Sequence, residues 1–124
     1  MQFSWKIMLS WGIFVLGIGH ILMGVVRFRL PFAAALQDGL IGSFSSDDTR
    51  RVAVWFTLFG PVLALCGHLA IRAAAVSDLE TLKIVGLYLS VTALFGLMAF
   101  PYSPIWALLT LSILLVAVGY GCLV

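Results

Sequence analysis

The side chain best suited to chemistry in this sequence is His20, because its imidazole lies inside an apolar run. That run covers residues 7–26 and stops at Arg27. Gly17, His20, Gly24 and Arg27 are three or four residues apart, so a helix would place them on one face. Small residues on a helix face favour close contact with a neighbouring helix, and an ionisable group on that face is a candidate functional residue.

Two interpretations of His20 stay open. In the functional one, His20 forms the floor of a pocket between helices, and Arg27, Trp55 and Trp106 form its rim, where a small amphipathic or anionic ligand would bind. In the structural one, a neutral imidazole makes a hydrogen bond to a backbone carbonyl or to a hydroxyl on a neighbouring helix. Three further side chains are assigned to the rim or a lid in the functional interpretation: Asp38, Arg51 and Tyr102. The two tryptophans also fit an aromatic belt at the membrane boundary.

Metal and cofactor chemistry has little support in the sequence. His68 lies near the opposite membrane boundary, and a difference in depth of over ~10 Å prevents both histidines from ligating one haem. Cys66 and Cys122 lack CxxC spacing, and no apolar run contains the Asp or Glu that a proton-coupled exporter needs. No catalytic motif is present either. We therefore predict no metal, no cofactor and no catalytic residue, and the sequence identifies no enzyme class.

The elements that carry these residues are apolar enough for a membrane. The chain has 124 residues, of which 63% are hydrophobic and 10% charged, and its mean hydropathy is +1.17. Soluble domains carry about 25% charged residues, so lipid is the expected solvent for most of this chain. Four apolar runs are each near the ~20 residues that a spanning helix needs. They cover residues 7–26, 52–71, 84–100 and 105–124.

These runs predict an all-α fold, an integral membrane four-helix bundle, as a single domain over residues 1–124. They do not alternate polar and apolar residues as the strands of a membrane barrel do. Helix-capping residues precede the last three runs, at positions 45–48, 77–80 and 103–104, and Pro61 lies inside the second. The first link is longer, and its residues 31–44 are predicted to form an interfacial segment, either a plain connector or a lid over a cavity.

The distribution of positive charge leaves the membrane orientation nearly balanced. The side of the amino terminus carries Lys6, Arg72 and Lys83. The opposite side, called the first-loop side below, carries four arginines, at positions 27, 29, 50 and 51. The positive-inside rule therefore favours a cytoplasmic first-loop side by a single residue. The net charge of +2, without a basic patch interleaved with aromatics, predicts no nucleic-acid partner. The expected partners are the lipid bilayer and a second copy or a larger membrane complex.

The order of several short motifs resembles a known group of proteins. The motifs are Gly19-His20-Ile21-Leu22-Met23-Gly24, Pro31-Phe32, Asp38-Gly39-Leu40, Trp55-Phe56 with Gly60 and Gly67, and Pro101-Tyr102-Ser103-Pro104-Ile105-Trp106. In this order they resemble a family of small bacterial four-helix membrane proteins of unknown function and, more remotely, the DoxX-like membrane proteins. The resemblance implies a four-helix bundle in a bacterial inner membrane over nearly the whole chain. It implies no activity.

Three functions remain open from the sequence. The first is a small polytopic membrane protein that binds a protein partner or a lipid-like ligand in a cavity on the first-loop side. The second is a redox accessory enzyme that uses His20 and Arg27 on a quinone-like substrate. The third is a small permease that acts as a dimer.

Overall fold

The computed structural model describes residues 4–123, and that part of the chain is entirely helical outside its turns. The helices are α1 (Trp5–Arg27), α2 (Arg29–Gln37), α3 (Asp48–Ala75), α4 (Leu79–Ala99) and α5 (Ile105–Gly119), and a short 3-10 helix (Ser43–Ser45) precedes α3. Residues 4–123 contain no strand. The prediction of an all-α fold is confirmed.

Within residues 4–123, three helices are long and apolar enough to cross a membrane, whereas four were predicted. They are α1, α3 and α4, with 23, 28 and 21 residues. The fourth run forms α5, which is apolar but has only 15 residues. At 1.5 Å per residue α5 extends roughly 22 Å, less than the ~30 Å of a bilayer core. Helix α5 therefore covers only part of the predicted span over residues 105–124, of which residue 124 lies outside the described residues.

Backbone geometry explains why α5 ends early. Gly121 adopts a left-handed conformation, with φ at +81°. The amide of Gly121 donates to the carbonyl of Val118, and the amide of Cys122 donates to that of Ala117. This pair of bonds is a Schellman motif, which closes a helix by satisfying its last carbonyls. An apolar run therefore overstates helix length when a glycine near its end takes this conformation.

Helices α1, α3, α4 and α5 form an antiparallel bundle built from two close pairs. Helix α1 packs along α3 and α4 along α5, whereas α1 touches α5 and α3 touches α4 over shorter stretches. In the first pair Gly17 lies against Ala64 and Gly24 lies against Thr57. The residue number in α1 rises by seven while that in α3 falls by seven, as expected for two antiparallel helices in contact. Helices α3 and α5 are diagonal to each other in this arrangement.

Small residues recur at every seventh position along the contact faces of both pairs. They are Ser10, Gly17 and Gly24 in α1, Ala53, Gly60, Gly67 and Ala74 in α3, Gly86 and Ala93 in α4, and Ser112 and Gly119 in α5. All except Gly119 are buried. A Cβ atom on Gly119 would lie only 2.6 Å from the Cβ of Lys83, so these backbones are nearly in contact. Close approach of this kind is how helices gain packing energy in lipid.

Residues 31–44, predicted as an interfacial segment, include most of α2, which begins at Arg29. Phe28 alone separates α1 from α2, and α2 ends before Gly39, whose φ is +99°. The amide of Leu40 then donates to the carbonyl of Ala35 at 2.8 Å. Residues 31–44 are thus the body of α2 followed by a turn into the 3-10 helix.

Two of the predicted helix caps differ in detail. Asp47 caps α3 through the amide of Arg50 (2.8 Å), as its position predicts. Helix α4 is capped by Asp78, because Ser77 has a φ of +56° and closes α3 instead. Pro104 stands at the cap of α5, and the hydroxyl of Ser103 donates to the carbonyl of Phe100.

Candidate functional site

His20 lies in the contact between α1 and α3, towards the first-loop side. Its Nε2 is 2.8 Å from the carbonyl oxygen of Phe56. Because a carbonyl only accepts, Nε2 carries the proton and donates. The imidazole is stacked on the ring of Phe56 at 4.1 Å between centroids and meets the edge of Phe59 at 5.2 Å. This is the arrangement that the structural interpretation of His20 describes.

The backbone of α3 is less completely hydrogen-bonded around this contact. Pro61 has no amide proton, so the carbonyl of Thr57 loses its donor within the helix. The Thr57 hydroxyl is buried and has no hydrogen-bond partner within residues 4–123. The hydrogen bond from His20 to the carbonyl of Phe56 therefore ties α1 to α3 one residue before Thr57, whose carbonyl lacks its helical donor.

In the described part of the chain, no hydrogen bond, ion pair or ring contact joins His20 to the other predicted site residues. Arg27 is exposed, with its guanidinium carbon 5.8 Å from the centre of the Phe28 ring. Trp55 is 71% exposed on α3. Trp106 on α5 donates its indole N–H to the carbonyl of Pro101. Tyr102 is fully exposed in the turn before α5. Their positions fit the aromatic belt, and a pocket that uses His20 with these residues stays a prediction.

His68 occupies a separate place near the other end of α3. It is exposed and meets the Phe14 ring edge-on, 6.3 Å between centroids. Twelve residues of α3 separate it from Phe56, the partner of His20, which is roughly 18 Å of helix. Within residues 4–123, no three His, Cys, Asp or Glu side chains lie together in a group that could hold a metal ion.

Arg50 fixes the conformation of the first link, between α1 and α3, and it was not among the predicted site residues. Its side chain is only 13% exposed, and its guanidinium contacts Asp38 at 2.7 Å and Asp47 at 3.5 Å. It also donates to the carbonyl of Ser43 and to the hydroxyl of Ser46. Asp38, predicted as a rim residue, is thus a partner of Arg50.

Arg51, the other charged rim residue, binds locally. It pairs with Asp48 at 2.5 Å and donates to the carbonyl of Ser45. This pairing could be predicted from the sequence, because each arginine follows an aspartate by three residues at the start of a helix, Asp47 before Arg50 and Asp48 before Arg51. The signal for the longer Arg50–Asp38 contact was absent, because it depends on how the chain turns at Gly39 and Gly42.

An open cleft of about 360 Å³ lies between α2 and the start of α3. Leu30, Pro31 and Ala34 form its apolar wall, and Asp47, Thr49 and Arg50 form its polar wall. Because Asp47 and Arg50 pair with each other, the polar wall has little net charge. The cleft faces the first-loop side, where the sequence predicted a cavity, but His20 does not line it.

Comparison with known proteins identifies the family of this chain. Residues 4–120 match the model of a family of unknown function, DUF6463. The chain belongs to this family. No curated protein and no solved structure matches it. The resemblance to a family of unknown function is confirmed in this form, and the more remote DoxX-like resemblance and the bacterial origin stay predictions.

The site that this DUF6463 protein offers is therefore a pair of separate features. One is a tightly packed histidine whose Nε2 is already used by a backbone carbonyl. The other is the cleft beneath α2, closed at its polar end by the Arg50 ion pairs. The first joins α1 to α3, and the second has one apolar and one polar wall.

Proposed function

We propose that the protein is a multi-pass membrane protein, of a bacterial inner membrane, that binds a lipid-like ligand with a neutral polar head in the cleft between α2 and α3. The observation that carries this proposal is the cleft itself, with its apolar and polar walls. Its volume of about 360 Å³ lies within the usual range for ligand sites, ~300–1,000 Å³. The three helices of the described chain that are long and apolar enough to cross a membrane support the lipid setting.

The chemistry of the walls indicates the class of ligand. Leu30, Pro31 and Ala34 would contact an alkyl chain, whose burial contributes ~0.8 kcal/mol per CH₂ group. The Thr49 hydroxyl is exposed and makes no hydrogen bond within residues 4–123, so it can meet a polar head. The neutralised Asp47–Arg50 pair favours a head without net charge, such as that of a diacylglycerol.

A redox role for His20 with Arg27 receives less support. Arg27 is directed to the ring of Phe28, and His20 to α3. A dimeric permease likewise finds no feature in residues 4–123 that favours it over a binding protein.

The cleft can be tested by filling it. Ala34→Trp places an indole against the apolar wall, whereas Ala33→Trp adds the same ring at the neighbouring, exposed position of α2. We expect binding of a fluorescent diacylglycerol in detergent to weaken about tenfold or more in A34W, a loss of at least ~1.4 kcal/mol, and to remain unchanged in A33W.

Circular dichroism and thermal unfolding of both variants check that α2 stays folded. Equal affinity in A34W, A33W and the unchanged protein would exclude the cleft as the binding site.

A further inference from the structure

The outer face of α2 is apolar and uncovered. Leu30 is 74% exposed and Leu36 63%, and Ala33 between them is also exposed, which places all three on one side of the helix. Beyond the end of α2, Ile41 is 96% exposed. The opposite side of α2 carries the buried Ala35 and the partly buried Phe32, which meets Phe44. The helix thus has two apolar sides, of which only one packs on protein.

The position of α2 in the chain determines what can cover that face. Helix α1 is long enough to cross a membrane and ends at Arg27, and α2 starts at Arg29. A helix that starts one residue after a spanning helix ends cannot leave the membrane boundary. Its outer face therefore lies at the level of the lipid headgroups and the first carbons of the acyl chains.

The charges beside this face are positive and uncompensated. Arg27 and Arg29 are exposed and form no ion pair within residues 4–123, whereas Arg50 and Arg51 on the same side are both paired with aspartates. No acidic residue precedes Asp38 in the sequence, so none lies next to this junction along the chain. Arginine binds phosphate through a planar fork of N–H donors and is suited to lipid phosphates.

The other side of the molecule lacks this combination. Lys6 donates to the hydroxyl of Ser77, and Lys83 pairs with Glu80 at 2.7 Å. Arg72 has no ion pair within residues 4–123, but the turn beside it is short and leads directly into α4. Only on the first-loop side do unpaired arginines flank an exposed apolar helix in the described chain.

From this geometry we propose that the outer face of α2 binds the anionic phospholipids of the leaflet on the first-loop side. Arg27 and Arg29 hold the phosphates, and Leu30, Leu36 and Ile41 enter the acyl region. This surface adjoins the cleft, because Leu30 lies at the edge of both, but Leu36 and Ile41 do not line the cleft. The inference shares the membrane placement and Leu30 with the proposed function, but its test changes only Arg27 and Arg29, which do not line the cleft, so either can fail without the other.

The experiment compares amide hydrogen exchange of residues 29–41 in nanodiscs of phosphatidylcholine and in nanodiscs that also contain phosphatidylglycerol. We expect exchange in the unchanged protein to slow by about tenfold when the anionic lipid is present, because each arginine at an anionic surface adds to binding. In the R27Q/R29Q variant the difference between the two nanodiscs should disappear.

A matched control removes the same charge from the other side. R72Q/K83Q should keep the full difference between the two lipid compositions. Inorganic phosphate added to phosphatidylcholine nanodiscs should have no effect, because the proposed ligand is a headgroup fixed in the leaflet. Equal exchange in the two nanodiscs, a difference that survives R27Q/R29Q, or slowing by free phosphate would each overturn the proposal.

Discussion

At the scale of single residues, His20 is the group whose role the contacts define most directly. Its Nε2–H donates to the carbonyl of Phe56, and its ring is stacked on the ring of Phe56 and meets that of Phe59 edge-on. Both contacts join α1 to α3. A side chain with its Nε2 donor committed in this way stabilises the helix pair, and it does not line the cleft where we propose that a ligand binds.

His20→Phe separates the two contacts, because it keeps an aromatic ring and removes the donor. We expect H20F to lower the free energy of unfolding by about 1 kcal/mol, the usual net value of one hydrogen bond, and H20A to lower it further. Thermal unfolding in detergent measures this loss, and diacylglycerol affinity should stay constant in H20F. If H20F lost affinity for diacylglycerol without losing stability, the functional interpretation of His20 would be the correct one.

Asp78 should make the stability of the amino-terminal side depend on pH. The hydroxyl and amide of Thr81 donate to its carboxylate at 2.6 and 3.1 Å and lower the pKa of Asp78 below its ordinary value. Since the folded pKa is the lower one, this stabilisation is complete above the unfolded pKa and is lost as pH falls through the folded pKa.

Asp78→Asn is the matched variant, because asparagine also caps a helix and does not titrate. Melting temperatures measured from neutral to acidic pH should fall more steeply for the unchanged protein than for D78N. Parallel curves for the two proteins would show that the cap does not contribute.

At the scale of elements, the α1–α3 contact depends on the absence of side chains. A Cβ atom on Gly17 would meet the backbone of Ala64, whose Cα would be 2.6 Å away, whereas a Cβ atom on Gly19 would meet nothing within 4 Å. The two glycines are in the same helix and two residues apart, so they separate packing from helix propensity.

Gly17→Ala should destabilise the protein by about 1–3 kcal/mol or more, since two backbones must move apart. Gly19→Ala should be neutral or stabilise by up to ~1 kcal/mol, because alanine is the better helix former. Chemical unfolding in mixed micelles compares the two variants. A common unfolding midpoint for G17A and G19A would mean that the helices are not in close contact.

At the scale of the whole molecule, the sequence predicts what depends on composition and local pattern. The all-α fold follows from the length of the apolar runs. The Asp47 cap and the position of Pro61 within α3 follow from residue type, and the packing of the Gly17–Gly24 face follows from spacing along one helix. The length of α5 could not be predicted in this way, because the left-handed conformation of Gly121 is not evident from the apolar character of the run.

The site was harder to predict for a similar reason. Residues on one helix face, such as His20 and Arg27, share a direction in a straight helix, but their partners are set by the neighbouring helices. Phe56 contributes a backbone carbonyl, which no side-chain pattern marks. Arg50 reaches Asp38 only because the chain reverses between them.

The seven-residue spacing of small residues in α1 and α3 leaves a translational ambiguity. Sliding one helix by a full repeat, roughly 10 Å, would again bring glycines and alanines opposite the partner backbone. Contacts that occur once must therefore select the alignment, and the His20–Phe56 hydrogen bond and the Arg50–Asp38 ion pair are such contacts. By the same reasoning, insertion of seven residues within one of these helices would preserve its faces. Insertion of a single residue would rotate everything beyond it by about 100° and turn the glycines towards lipid.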